Sequence, residues 1–109
     1  MAQEKNYENK IKKFLKSQGA WFIKYWAGAP FTKAGIPDIL ACVGGYFVGI
    51  EVKAQEGVVS EIQKYNIKQI RNAGGFAFAL YPSGYNQFQK FVEDLKQEKF
   101  NRNIPEILK

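Results

Sequence analysis

The chain has 109 residues, enough for one domain with a single core, and 16% of them are aromatic, so that core is well supplied. It contains no histidine and a single cysteine, Cys42, which excludes His-based triads, His metal ligands, disulfides and thiolate zinc clusters. The net charge of +6 favours a polyanionic partner, and any chemistry must come from carboxylates, Lys, Tyr, Ser or a metal held by oxygens.

No apolar run approaches the ~20 residues a membrane span needs and no signal peptide opens the chain, which fits a reducing cytoplasm. Residues 5–17 are expected to be helical, because Tyr7, Ile11, Phe14 and Leu15 share one face and Gly19 supplies a stop. Residues 21–26 are aromatic-rich and read as a strand. Residues 27–33, with Gly28 and Pro30, read as a loop. Two apolar runs, 36–43 and 46–53, flank Gly44-Gly45, a hairpin signal because type I′ and II′ turns need positive φ. Cys42 reads as a small buried hydrophobe within the first run. Ser60 and Gln63 have capping-box spacing and open a helix that Gly74-Gly75 closes. Residues 76–81 read as a strand, Pro82-Ser83-Gly84 as a turn, and Phe88, Phe91, Val92 and Leu95 mark a last helix over 85–99. Residues 1–99 are therefore expected to form one domain. The tail, 100–109, carries Ile104, Pro105, Ile107 and Leu108 to pack on the domain or on a partner.

Charge along this chain is uneven. Between Lys5 and Gln55 only three carboxylates occur, Glu8, Asp38 and Glu51, against eight lysines. A two-residue loop at Gly44-Gly45 makes cross-strand partners sum to 89, so Asp38 faces Glu51. Side chains alternate with period two, so Lys53 shares their face, while Ile39, Ala41, Val43, Tyr46, Val48, Ile50 and Val52 line the other. A three-residue loop would shift this register by one. Opposed carboxylates at an apolar strand end repel and are poorly screened. Lys53 cancels part of that repulsion. A divalent cation would cancel the rest, and magnesium, a hard ion that keeps several waters, suits better than calcium. Taken singly, each of these residues fits an ordinary strand-end ion pair. The three together on one face point to a site.

Pro37-Asp38 followed by Glu51-Val52-Lys53 resembles the PD-(D/E)xK nuclease motif. The longer string G-I-P-D-I-L, G-G, I-E-V-K, E-G, S-x-x-Q is similar to the VRR-NUC family of that superfamily, from the first helix through Tyr81. The resemblance implies a restriction-endonuclease-like α/β (α+β) fold, an αβββαβ core whose mixed central sheet is flanked by helices. It implies Asp38 and Glu51 as magnesium ligands, with manganese substituting, and the Val52 backbone carbonyl as a further oxygen. Lys53 would orient or activate the attacking water and stabilise charge on the phosphate. A first-helix glutamate would complete the acidic site, with Glu8 the best match and Glu4 the other; Glu8 also has an ordinary alternative, pairing with Lys12 at i+4. Gln63 matches the glutamine after the ExK strand, in a site role, a capping role, or both. The partner implied is DNA, branched or nicked, bound by a homodimer resembling Holliday-junction resolvases, in a bacterial cytoplasm and of bacterial or phage origin.

Lys12, Lys16, Lys24 and Lys33 are candidate phosphate contacts, although any one of them is equally an ordinary solvated lysine. Trp26 and Phe31 are candidates to wedge into a junction or to pack in the core. Three readings follow. One is a magnesium-dependent DNA endonuclease, structure-specific or nicking, and a second is a restriction-type or end-processing nuclease of the same superfamily. The third is a non-catalytic nucleic-acid-binding module, against which the intact Asp38, Glu51 and Lys53 stand.

Overall fold

The computed structural model describes residues 2–98 apart from residues 27, 29 and 31. The tail and Phe31 lie outside the described residues. The chain folds as α1 (Ala2–Ser17), β1 (Trp21–Lys24), β2 (Ile39–Val43), β3 (Tyr46–Val52), α2 (Glu61–Asn72), β4 (Phe76–Leu80) and α3 (Tyr85–Gln97), with a short 3-10 turn at Pro82–Gly84 before α3. The strands form one mixed sheet in the order β1-β2-β3-β4. The first three are antiparallel neighbours, and α2 carries the chain to β4, which runs parallel to β3. This is the mixed, helix-flanked sheet that the sequence led us to expect.

The hairpin register is the expected one: Val43 faces Tyr46, Cys42 faces Phe47 and Ile39 faces Ile50. Gly44 and Gly45 have φ of 59° and 93°, the left-handed values a two-residue turn requires. Ile39, Ala41, Val43, Val48, Ile50 and Val52 are buried against Ile11, Leu15, Phe88 and Val92 from α1 and α3. On the opposite face α2 covers only the β3–β4 half. There its Ile70 approaches Gly49 and Gly75, while Phe47 lies alongside Gly75. Cys42, facing that second side on β2, is exposed, which corrects the expectation of a buried thiol. Period-two alternation puts it away from the core, and among the described residues no helix lies over β2 on that side.

A Cβ on Gly44 would stand 2.3 Å from the Leu95 carbonyl oxygen of α3, backbone against backbone. At Gly74, φ is 97° but nothing lies within 4 Å. Alanine at Gly74 therefore meets only the conformational cost, about 1 kcal/mol, whereas Gly44→Ala adds a clash and should cost about 2–4 kcal/mol. In thermal melts Gly44→Ala is expected to fall below Gly74→Ala by at least ~5 °C. Equal melting temperatures would show that α3 does not pack on the turn.

Candidate active site

Two strands and two helices meet where β2 begins and β3 ends. The sequence suggested that β2 starts at residue 36, but Pro37 has no N–H to donate and the ladder begins at Ile39. Just before it, Asp38 supplies the missing pairing in another form. Its backbone carbonyl accepts from the Tyr25 N–H at 2.8 Å, and its carboxylate Oδ2 accepts from the Val52 N–H at 2.8 Å. Asp38 is thereby pinned beside Glu51. Within a strand the N–H and C=O of one residue point to the same edge, so the Val52 carbonyl faces the Asp38 side as well.

Glu51 is only 3% exposed. Burial pushes its carboxyl up to about 8, and the adjacent Asp38 carboxylate, by hydrogen bond and by charge, pushes in the same direction. Glu4 adds a smaller push upward, and Lys53 works the other way. The Lys53 ammonium stands 3.8 Å from Glu51 Oε2, on the face that alternation assigned to it. Its stem packs on Gly57.

Gln63 is held by the helix it starts. Its side-chain oxygen accepts from the Ser60 N–H at 2.8 Å, while Ser60 Oγ accepts from the Gln63 N–H at 3.3 Å. That capping box fixes which end of the amide points back to Ser60. The NH2 end is left facing Glu51 and donates to its Oε2 at 3.1 Å. The capping contacts and the contact with Glu51 coexist in the geometry.

Glu8 sits differently from the expectation that it joins Asp38 and Glu51. Its carboxylate takes Lys24 Nζ at 2.6 Å and Lys12 Nζ at 3.2 Å, and Lys24 stands 3.6 Å from Asp38. Burial pushes the Glu8 carboxyl up, but the two lysines outweigh it and hold it below the usual range. For Lys24 burial pulls down and Glu8 with Asp38 outweighs it, so its pKa is raised. Lys24 is thus the bridge between the helix acid and the strand acids, a role that sequence spacing gave no sign of. Among the described residues no three His, Cys, Asp or Glu side chains converge as a ready-made metal cluster. Of the four candidate phosphate contacts, Lys12 and Lys24 turn inward to Glu8, while Lys16 and Lys33 are exposed. Trp26 is also exposed, its ring 5.6 Å from the Lys24 ammonium.

A chain of tyrosines braces the neighbourhood. Tyr7 on α1 donates to the Tyr81 carbonyl at 2.7 Å, and the Tyr81 hydroxyl donates to the Gly57 carbonyl at 3.0 Å, tying α1, the end of β4 and the loop after β3 together. Burial, with a smaller push from Tyr85, raises Tyr7 to about 12, so this donor stays protonated.

Residues 2–100 match the family of archaeal Holliday junction resolvases. The chain belongs to that family. The archaeal Holliday junction resolvases lie within the PD-(D/E)xK nuclease superfamily, so the Pro37-Asp38…Glu51-Val52-Lys53 motif and the restriction-endonuclease-like sheet agree with the match. It is a family of structure-specific nucleases, hydrolases acting on DNA. Searches among curated proteins and among solved structures returned no match. No helix among the described residues is long and apolar enough to cross a membrane.

Proposed function

We propose that the chain is a divalent-metal-dependent endonuclease that cuts branched DNA, the four-way junction in particular, as a homodimer offering one site to each of two strands. The observation that carries this reading is the Asp38–Glu51 pair. Two carboxylates are held together, one of them buried, and that burial, with the Asp38 carboxylate beside it, raises Glu51 to about 8 despite Lys53. A fold keeps such a pair at a cost, and a cation held by Asp38 and Glu51 would offset it. The donor set fits magnesium: two carboxylates and the Val52 carbonyl are too few oxygens for calcium, and enough for an ion that keeps its waters. When bound, such an ion acts as a Lewis acid on the phosphate oxygen and eases the build-up of charge on the departing oxygen, and manganese can replace it.

This chain's own residues do the rest. Asp38, fixed by the Val52 N–H, and Glu51, fixed by Gln63, hold their oxygens in place before substrate arrives. Lys53 orients the attacking water and meets the negative charge that grows on the phosphate as water attacks phosphorus and the P–O bond breaks. Glu8 acts one step back, by holding Lys24 against Asp38. Lys16 and Lys33, whose charges face solvent, are the phosphate contacts.

The narrower VRR-NUC likeness rests on G-I-P-D-I-L and S-x-x-Q. A bacterial or phage origin, in the cytoplasm, rests on that likeness alone, since the matched family is described as archaeal.

The test is cleavage of labelled four-way junction, flap, nicked and plain duplex DNA, in magnesium, in manganese and in EDTA. Junction cutting that disappears in EDTA is expected. Cutting of plain duplex at one sequence would favour a restriction-type enzyme, and full activity in EDTA would remove the metal from the mechanism. Binding in calcium should weaken with salt, with a log–log slope of ~0.9 per phosphate contacted on duplex. Lys33→Ala should flatten that slope by about one, whatever the sequence.

A further inference from the structure

Trp26 is the most exposed aromatic side chain among the described residues, at 73%. Exposure alone says little, since single apolar side chains are common on surfaces. Its surroundings say more. The Lys24 ammonium stands over the ring, 5.6 Å from its centroid, and Glu8 holds that ammonium at 2.6 Å. Tyr25, the residue between them, is tied on two sides. Its N–H donates to the Asp38 carbonyl at 2.8 Å. Its hydroxyl donates to the Lys33 carbonyl at 3.0 Å and accepts from the Lys33 N–H at 2.8 Å. The backbone that presents Trp26 is thereby anchored to the site, and a contact offered from a fixed position loses little entropy when it is made. Beside the ring a cleft of about 150 Å³ opens between α1 and the end of β1, lined by Glu4, Lys5, Glu8, Lys24 and Trp26.

We propose that Trp26 is a stacking platform for one unpaired nucleobase, that of a nucleotide next to the phosphate at Asp38 and Glu51. This rests on the reading above and names what the site recognises in branched DNA. Lys24 stands over the ring and lies 3.6 Å from the Asp38 carboxylate, so ring and acids are close enough to serve neighbouring nucleotides of one strand. A phosphate is the wrong occupant of the cleft, because Glu4 and Glu8 line it and the Lys24 charge is already paired with Glu8 and Asp38. A neutral planar ring suits it: the π-face lies on the indole, and amino or ring N–H groups at the edge donate to the carboxylates. A base inside a duplex is stacked above and below and does not reach the ring. A base at a branch point lacks a continuous stacking neighbour and leaves its pair at smaller cost, so the platform favours branched over plain DNA.

Removing the base and removing the ring, singly and together, tests the proposal as a double-mutant cycle. Wild type, Trp26→Ala and Trp26→Phe are titrated in calcium with four-way junctions that carry an abasic nucleotide at each position of the branch point in turn. For wild type, affinity should fall about 5- to 100-fold at one position next to the cleaved phosphate, the range that alanine substitution gives for a base on an aromatic ring. Trp26→Ala should lose as much on the intact junction and nothing further on the abasic one. Trp26→Phe should keep most of the affinity and most of the response to base removal. All three should bind plain duplex alike, with unchanged circular dichroism, since an exposed ring does not hold the fold together.

Losses that multiply in the combined case would overturn the proposal, because ring and base would then act separately. So would a Trp26→Ala protein that binds the intact junction as wild type does. An equal loss on plain duplex would overturn it too and make Trp26 a prop for Lys24. A Trp21→Phe protein, in which Trp26 is the remaining tryptophan, supplies a second readout. Its fluorescence should be quenched by a single-stranded oligonucleotide and far less by an abasic one. Quenching by a protein that cuts no branched DNA would refute the cleavage reading and leave the platform. Junction cutting without quenching would do the reverse, and a protein that binds none of these DNAs would overturn both.

Discussion

Lys53→Ala is expected to slow cleavage of a four-way junction about 10²–10³-fold in magnesium while binding the junction in calcium within a few-fold of wild type. The ammonium lies 3.8 Å from Glu51 at the end of a strand, with its stem packed on Gly57. It is held in position before the phosphate arrives, and a fixed charge aimed at developing negative charge acts in the transition state more than on the bound substrate. Lys53→Met keeps the packing and removes the charge, so it should be as slow as the alanine variant. Single-turnover cleavage beside binding isotherms separates the two effects. A Lys53→Met protein that cuts within a few-fold of wild type would make the residue a structural counter-charge for Glu51 and no more.

Glu51→Gln should abolish detectable cleavage and yet stabilise the metal-free protein. The sign follows from the proton count. The carboxyl of Glu51 titrates near 4.5 when the chain is unfolded and near 8 in the fold, so between those values the folded state binds more protons. Stability is therefore fully present below pH 4.5 and is lost as pH rises toward 8, by up to about 1.4 kcal/mol per pH unit. Glutamine keeps a neutral group of the same shape there, beside Gln63. In EDTA its melting temperature should exceed that of wild type by several degrees at pH 8 and by little at pH 5. Magnesium should reverse the wild-type trend, because the ion competes with the proton for the same oxygens and stabilises the fold by binding it. Parallel pH profiles for wild type and Glu51→Gln in EDTA would show that Glu51 is not under strain.

Much of this could be read from residues because the relevant constraints are local. Gly44-Gly45 admits a two-residue turn, that turn fixes a register, and the register with period two puts Glu51 and Lys53 on one face. The capping box of Ser60 and Gln63 fixes where α2 begins, and the motif fixes the superfamily. What escaped the sequence depends on contacts between distant segments. Asp38 uses a side chain where a strand would use its backbone, so β2 starts later than its apolar run. Lys24 turns inward because Glu8, sixteen residues earlier, is brought to it by α1. Alternation placed Cys42 on the second face of the sheet but could not say that α2 stops at β3, and a residue with no cover is exposed whatever its type.

Gln63 serves two partners at once. The same amide that closes the first turn of α2 also donates to the Glu51 carboxylate, so the start of a helix and the placement of that carboxylate share one equilibrium. Linkage makes that sharing reciprocal. Whatever seats Glu51 in its bound position also draws the amide, and with it Ser60, into the cap. Whatever frays the end of α2 loosens Glu51 in equal measure. Glu51 is in this sense the last residue of the helix's own start signal, although twelve positions of chain separate it from Gln63.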